Sequence, residues 1–324
     1  MSGPRDDQMR RPWVSLKDFF WLVYLYPLRF LAAILPVPWL QRIGSMLLPP
    51  LHLITIRWKR LLTNRITAVY QAKSVKLEAG ATARRFITNA LFRAMDDLVM
   101  DKLIAEKRLR RVHLQGQDNL DRALSLGKGV IVLTGHFYAN RLAKRYLAQI
   151  GYPMASVRNR KPQNRALGRF AKKLLETRYV EFLHGIIKDE LFLQDEDCAL
   201  QIFKRLRLNG LVNLHLDASF SQERVRYPFL NGERLFPAGF LRIVRLTGCC
   251  IVPMLCLGNS RELSVVFENP LDLEPGADQH EFVSVNLPKM ARRLESQILR
   301  YPDQWELWDR PQTWLAIRCA RLVL

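Results

Sequence analysis

Gly127-Lys128-Gly129-Val130-Ile131-Val132-Leu133-Thr134-Gly135-His136-Phe137-Tyr138-Ala139-Asn140-Arg141 is the stretch whose reading decides the fold of this 324-residue chain. Val130 to Leu133 is a short, β-branched apolar run bounded by glycines, the pattern of a strand covered on both faces. The polar turn after it leads into Arg141-Leu142-Ala143-Lys144-Arg145-Tyr146-Leu147, whose apolar residues recur at helical spacing. His136 therefore stands at the carboxyl end of a strand, the edge at which open α/β sheets place their chemistry. Taken by itself, such a histidine also reads as a capping or hydrogen-bonded side chain at a strand end.

Working outward, the same alternation continues on both sides. Val112 to Leu114 reads as a strand, Asp118 to Leu126 as a short helix, and the helix after His136 runs to about Ile150. Further strands are expected at 154–157, 180–183, 211–216, 250–256 and 263–267, with helices at 163–175, 199–208 and 239–246 between them. Val283 to Arg300 is an amphipathic helix, and residues 68–111 have a helical pattern ending in the basic run Lys107-Arg108-Leu109-Arg110-Arg111. The order implies an α/β fold with a mostly parallel central sheet flanked by helices.

The N-terminus has a different character. Residues 19–35 and 43–56 are strongly apolar and aromatic, but Pro27 and Arg29 interrupt the first and Pro49-Pro50 breaks the second. About 20 uninterrupted apolar residues are wanted for a membrane span. No small-residue cleavage site follows, so a secretory signal is not expected either. Trp13, Trp21, Tyr24, Tyr26 and Trp39 favour a headgroup boundary, and Arg57, Lys59 and Arg60 follow at once. The expectation is a hydrophobic, helical, membrane-anchoring segment lying in the interface, with an ordinary core helix pair and a single tilted span as alternatives. Residues 1–60 form that segment, 61–111 a helical lead-in, and 112–324 the α/β domain.

Composition narrows the partners. Lys and Arg outnumber Asp and Glu by 50 to 30, a formal net charge of +20, so an anionic partner is expected: nucleic acid, an anionic membrane surface or an acidic carrier protein. Zinc-finger spacing and the aromatic signature of RNA-binding sheets are missing, which makes nucleic acid the weakest of the three. Cys198, Cys249, Cys250, Cys256 and Cys319 form no Cys-x-x-Cys pair and no zinc-spaced cluster. They read as reduced thiols facing the cytosol, with no metal.

Three stretches together carry a resemblance. Asn119-Leu120-Asp121-Arg122-Ala123-Leu124 leads into the glycine-bounded strand and His136. Gly210-Leu211-Val212-Asn213-Leu214-His215-Leu216-Asp217 continues through Pro228-Phe229-Leu230 and Pro237-Ala238-Gly239 to Thr247-Gly248-Cys249-Cys250-Ile251-Val252-Pro253. Tyr301-Pro302-Asp303-Gln304-Trp305-Glu306-Leu307-Trp308 closes the series. In order and spacing over roughly residues 112–310, the chain resembles the lauroyl/myristoyl acyltransferases of lipid A biosynthesis, within the wider lysophospholipid acyltransferase group. The resemblance implies direct acyl transfer from a thioester, acyl carrier protein or coenzyme A, to a hydroxyl of an anionic lipid or glycolipid such as a lipid A precursor or lysophospholipid. It implies no other cofactor, and a bacterial inner (cytoplasmic) membrane location with the catalytic domain facing the cytoplasm.

By that resemblance His136 is the general base, with a carboxylate five positions later orienting it. Position 141 is Arg instead. Three outcomes follow: an acid from elsewhere, an amide such as Asn140 setting the tautomer, or a catalytically impaired paralogue acting as a lipid-binding or scaffold protein. Asp217 is the favoured substitute, because it ends an apolar strand expected in the same sheet; its other reading is a local cap. Glu223 and Asp96 are poorer candidates. Arg158 follows another strand and matches an arginine the family carries near its site, where its planar fork suits a phosphate. Arg141 and Asn140 complete the expected substrate-binding set. Phe229, Phe236 and Phe240 read either as an acyl groove or as plain core.

Overall fold

Val130–Thr134 forms a strand, β2, in which all five residues are buried. It is the middle member of a seven-stranded sheet in the order β1-β9-β8-β2-β5-β3-β4. The structure is a computed structural model that describes residues 16–105, 111–159, 181–182, 185, 189–218, 223–259 and 261–309. Around β2 the strands are β1 (Arg111–Gln115), β3 (Met154–Arg158), β4 (Glu190–Phe192), β5 (Leu211–His215), β8 (Cys250–Gly258) and β9 (Glu262–Phe267). Five neighbouring pairs are parallel and β8 with β9 is antiparallel. The α/β architecture with a mostly parallel central sheet is thus present.

The pleat explains the continuous apolar run of β2. Ile131 and Leu133 face one core and Val130 and Val132 the other, as side chains alternate across a strand covered on both faces. The first core packs helices α4 (Ile56–Ala72), α8 (Cys198–Arg207), α9 (Gly239–Thr247) and α10 (Gln279–Arg300), together with Trp305 and Trp308. The second packs α6 (Gln117–Ser125) and α7 (Asn140–Gln149). Helix α5 (Ala79–Ala105) contributes Phe86 and Ile87 to the first core and Val99 and Leu103 to the second. Gly129 opens β2 with φ +70°, and a Cβ there would lie 2.5 Å from the carbonyl oxygen of Leu206, so the entry to the strand demands glycine.

Several sequence expectations are corrected. Glu181 and Phe182 are helical, where a strand over 180–183 is expected; a short apolar run does not distinguish the two, and Phe182 here packs edge-on against Tyr24. The helical pattern of 68–111 belongs to two helices, α4 and α5, separated at Ser74 (φ 54°), while Arg111 starts β1. Pro49 and Pro50 do not break the second apolar stretch: both lie inside α3 (Val37–Ile54). Before it come α1 (Leu16–Val23), a π-helical turn (Tyr24–Leu28) holding Pro27, and α2 (Arg29–Ile34). Strand β4 and a hairpin, β6 (Arg224–Phe229) with β7 (Gly232–Pro237), are additional elements. The hairpin's turn starts on Leu230 at φ 55°, a conformation that apolar side chains rarely adopt, and its local sequence signal is Asn231-Gly232. The expected helix at 163–175, Trp13, Lys107–Arg110, Arg160, Lys161 and Cys319 lie outside the described residues.

Among the described residues no helix is long and apolar enough to cross a membrane. The N-terminal helices instead lean on the α/β body. Leu25, Ala32 and Leu40 join the second core, Tyr24 donates to the Ala94 carbonyl at 2.8 Å, and Lys102 donates to that of Leu35 at 3.1 Å.

Candidate active site

His136 follows β2 and Asp217 follows β5, and the two strands are parallel neighbours with Thr134 opposite His215. Both residues therefore leave the sheet at the same edge, two steps beyond the paired positions. His136 Nδ1 lies 2.6 Å from Asp217 Oδ1. A carboxylate only accepts, so Nδ1 carries a proton, and in the neutral ring the lone pair is the one on Nε2. Asp217 Oδ2 accepts from the backbone N–H of His136 at 2.8 Å and from the indole Nε1–H of Trp305 at 2.7 Å. The His136 side chain is 30% exposed and that of Asp217 is fully buried, which puts the reactive nitrogen where substrate can reach it and the acid where solvent cannot.

Burial by itself raises the pKa of Asp217, but the hydrogen bond of His136 and the charge it carries once protonated, with Arg234 behind them, hold its carboxyl well below the usual carboxylate range. Arg234 on β7 donates Nη2–H to the Asp217 carbonyl oxygen. Gly135 makes the approach feasible: a Cβ at this position would lie 2.6 Å from Leu294 and 3.3 Å from Asp217 Oδ2.

The C-terminal motif closes the turn from outside. Trp305 bridges Phe137, the Tyr138 N–H donates to the Gln304 carbonyl at 2.8 Å, and the Glu306 N–H donates to the His136 carbonyl at 2.7 Å. His136 is thus anchored through its N–H, its C=O and its Nδ1.

Arg141 is turned elsewhere. Its Nη1 makes an ion pair with Asp97 of α5, and Arg93 on the same helix pairs with Glu306 at 2.7 Å. Burial raises Asp97, against the lowering effect of Arg141 and Arg93. Asn140 is buried, and its Nδ2 donates to the Gly135 carbonyl and lies 3.4 Å from His215 Nε2. It therefore addresses the second histidine of the cleft and not His136. Arg158 at the end of β3 pairs with Glu190. Asp96 accepts from the Tyr138 hydroxyl at 3.0 Å. Glu223 instead lies at the start of the hairpin, its backbone carbonyl accepting from the Ala238 N–H. Phe229, Phe236 and Phe240 are all buried in the first core, with Phe229 edge-on to Phe236 and to Trp305.

His215 carries no role in the sequence reading, yet its ring centroid is 4.5 Å from that of His136. Burial, reinforced by His136 and Lys144, pushes it well below the ordinary imidazole range, so it is neutral near pH 7. Lys144, one turn beyond Arg141, donates to Ser156 Oγ at 3.1 Å; burial, with Arg141 and Arg158 nearby, lowers it to about 8. Arg234 has no local signal in the sequence, while His215 and Trp305 are marked only by their positions in motifs carried by the resemblance. Among the described residues no group of three or more His, Cys, Asp or Glu side chains is placed to hold a metal.

The arrangement provides an imidazole held at Nδ1 by an ionised, buried acid, the equipment for taking a proton from a hydroxyl. Comparisons with known proteins bear on what that equipment serves. A crystal structure of the 1-acyl-sn-glycerophosphate acyltransferase PlsC from Thermotoga maritima aligns with 87% of this chain and 97% of its own, at 9% identity and a TM-score of 0.36. Curated proteins provide no significant match. The model of the family described as bacterial lipid A biosynthesis acyltransferase matches residues 13–312. On a match of that extent the chain belongs to this family and is an acyltransferase.

Proposed function

We propose that this acyltransferase moves a fatty acyl group from a thioester, on acyl carrier protein or coenzyme A, to a hydroxyl of an anionic lipid or glycolipid such as a lipid A precursor or lysophospholipid. The observation that carries the mechanism is the 2.6 Å contact between His136 Nδ1 and Asp217 Oδ1. His136 Nε2 takes the acceptor proton as the alkoxide attacks the thioester carbonyl; Asp217 fixes the tautomer and balances the imidazolium that forms. The thiol leaves with the proton returned by His136. The N-terminal end of α7, which begins three residues after the Phe137 bridge, is the candidate source of oxyanion stabilisation.

Membrane docking is part of the same reading. Thirteen of the twenty exposed large apolar side chains among the described residues fall between Phe19 and Leu61, including Phe30, Ile34, Trp39, Met46 and Leu53. Apolar side chains at this density beside Arg57, Lys59 and Arg60 suit an anionic membrane interface, here the cytoplasmic face of a bacterial inner membrane.

The test is turnover of lauroyl and myristoyl thioesters of carrier protein and coenzyme A against a lipid A precursor and lysophosphatidic acid in mixed micelles, with His136→Ala beside wild type. Turnover that survives His136→Ala overturns the mechanism. Lipid binding with no turnover from any pair returns the impaired-paralogue reading.

A further inference from the structure

Arg234 is 1% exposed, and among the described residues its Nε and Nη1 have no hydrogen-bond partner. Its Nη2 donates to the Asp217 carbonyl oxygen, and its guanidinium stands 6.0 Å from the Phe229 ring centroid. Among the described residues, the arginines Arg141, Arg93 and Arg158 are matched to carboxylates: Arg141 to Asp97, Arg93 to Glu306 and Arg158 to Glu190. A guanidinium buried with two donor nitrogens unmet is costly, and an apolar residue of similar volume would suit the core of a hairpin better. Something in the site must offset that cost.

The carboxyl group that attracts Arg234 is that of Asp217, whose backbone carbonyl the guanidinium holds. For His136 to act as a base it must begin neutral, so in the resting enzyme it is not the cation that balances the buried carboxylate. His215, on the same strand as Asp217, is neutral as well. Lys144 of α7 is directed at Ser156. Trp305 and the His136 backbone supply N–H dipoles but no charge. Arg234, approaching from β7, supplies the missing charge.

We infer that Arg234 is a positioning residue of the acyl-transfer site: the fixed cation that keeps Asp217 ionised while His136 is neutral, and the strap that ties the backbone of Asp217 to the β6–β7 hairpin. This rests on the reading of His136 and Asp217 as base and orienting acid. Burial draws Arg234 down while Asp217 draws it up, the reciprocal of its effect on the acid. The hairpin, which forms a two-stranded sheet of its own, thereby acquires a part in the chemistry.

Two measurements on the full-length protein in detergent test it. Thermal melts of wild type, Arg234→Met, Asp217→Asn and the double variant form a cycle that needs no substrate. The melting temperature lost to Arg234→Met is expected to shrink by at least half in the Asp217→Asn background. A folded double variant beside an unfolded Arg234→Met is the same result in its extreme form. Equal losses in both backgrounds, or neither Met variant folding, overturn the counter-charge role. The second measurement is the pH dependence of kcat/KM with lauroyl-coenzyme A and a lipid A precursor. Withdrawing a cation from a pair that gains a proton makes the pair hold it more tightly, so the acid limb in Arg234→Met moves up by about 1 pH unit. Arg234→Lys holds the limb near its wild-type position. An unmoved limb in Arg234→Met reduces the residue to scaffold. If wild type turns over none of the substrates, the proposed function fails while the melting cycle still decides the charge pairing.

Discussion

Asp217 reaches the Nδ1 of His136 from 81 residues downstream, across the step between β5 and β2. The acid expected five positions after the histidine is an arginine, and the orienting carboxylate arrives through the sheet instead of along the helix. The exchange is coherent because Arg141 has an acid of its own in Asp97. A strand end is also a more rigid platform than a helix turn, since β5 is hydrogen-bonded on both sides, by β2 and β3.

Asp217→Asn should be nearly isosteric and catalytically severe. The amide presents an N–H toward Nδ1, which favours the tautomer with the proton on Nε2. By the behaviour of serine-protease triads kcat is expected to fall by roughly 10⁴-fold, with KM little changed. Steady-state kinetics with circular dichroism on the same preparation checks it; a loss under tenfold would remove Asp217 from the mechanism.

Arg141→Glu restores the charge expected of the family and should not improve the enzyme. Asp217 already occupies Nδ1, and the new carboxylate would face Asp97. Melting temperature is expected to fall, kcat/KM to stay at or below wild type, and the swap Arg141→Glu with Asp97→Arg to recover stability. A gain in kcat/KM from the single change would show that the acid at 141 is missed.

Trp305→Phe removes one of two N–H groups on Asp217 Oδ2 while keeping an aromatic ring in the core. A hydrogen bond to a charged group is worth about 1.5–3 kcal/mol, so kcat should drop by roughly 10- to 100-fold at unchanged KM. An unchanged kcat would mean that the indole only fills space.

Stability should depend on His215 between pH 5 and 7.5. Its pKa is depressed on folding, so the unfolded chain binds the proton more readily and stability falls as pH drops below the unfolded value near 6.5. The loss is on the order of 1 kcal/mol per pH unit in that window. Chemical denaturation of His215→Gln at pH 7.5 and 5.5 is expected to show a smaller decrease than wild type.

Gly135→Ala places a Cβ 2.6 Å from Leu294 Cδ1 and 3.3 Å from Asp217 Oδ2. Overpacking of this kind costs about 1–3 kcal/mol. Reduced melting temperature and reduced kcat should appear together, and Leu294→Ala in the same chain should return part of each.

What the sequence determines by itself is local. Glycine-bounded β-branched runs alternating with helical periodicity specify strand after helix, and hence a sheet edge at which His136 and Asp217 both end strands. The continuous apolar character of Val130–Leu133 already requires cover on two faces. Less regular elements are illegible for equally local reasons: two prolines inside α3, and a short run around Phe182 that serves a helix. The electrostatics of the site belong to tertiary structure. Whether Asp217 caps its own turn or serves His136 depends on β5 lying next to β2. Whether Arg141 faces the base depends on Asp97 being on the helix across from it. Arg234, His215 and Trp305 enter from a hairpin, a neighbouring strand and the C-terminal turn, with no spacing to link them to His136. Charge and hydrogen bonds act over a few ångströms of space, and only the folded chain brings those ångströms about.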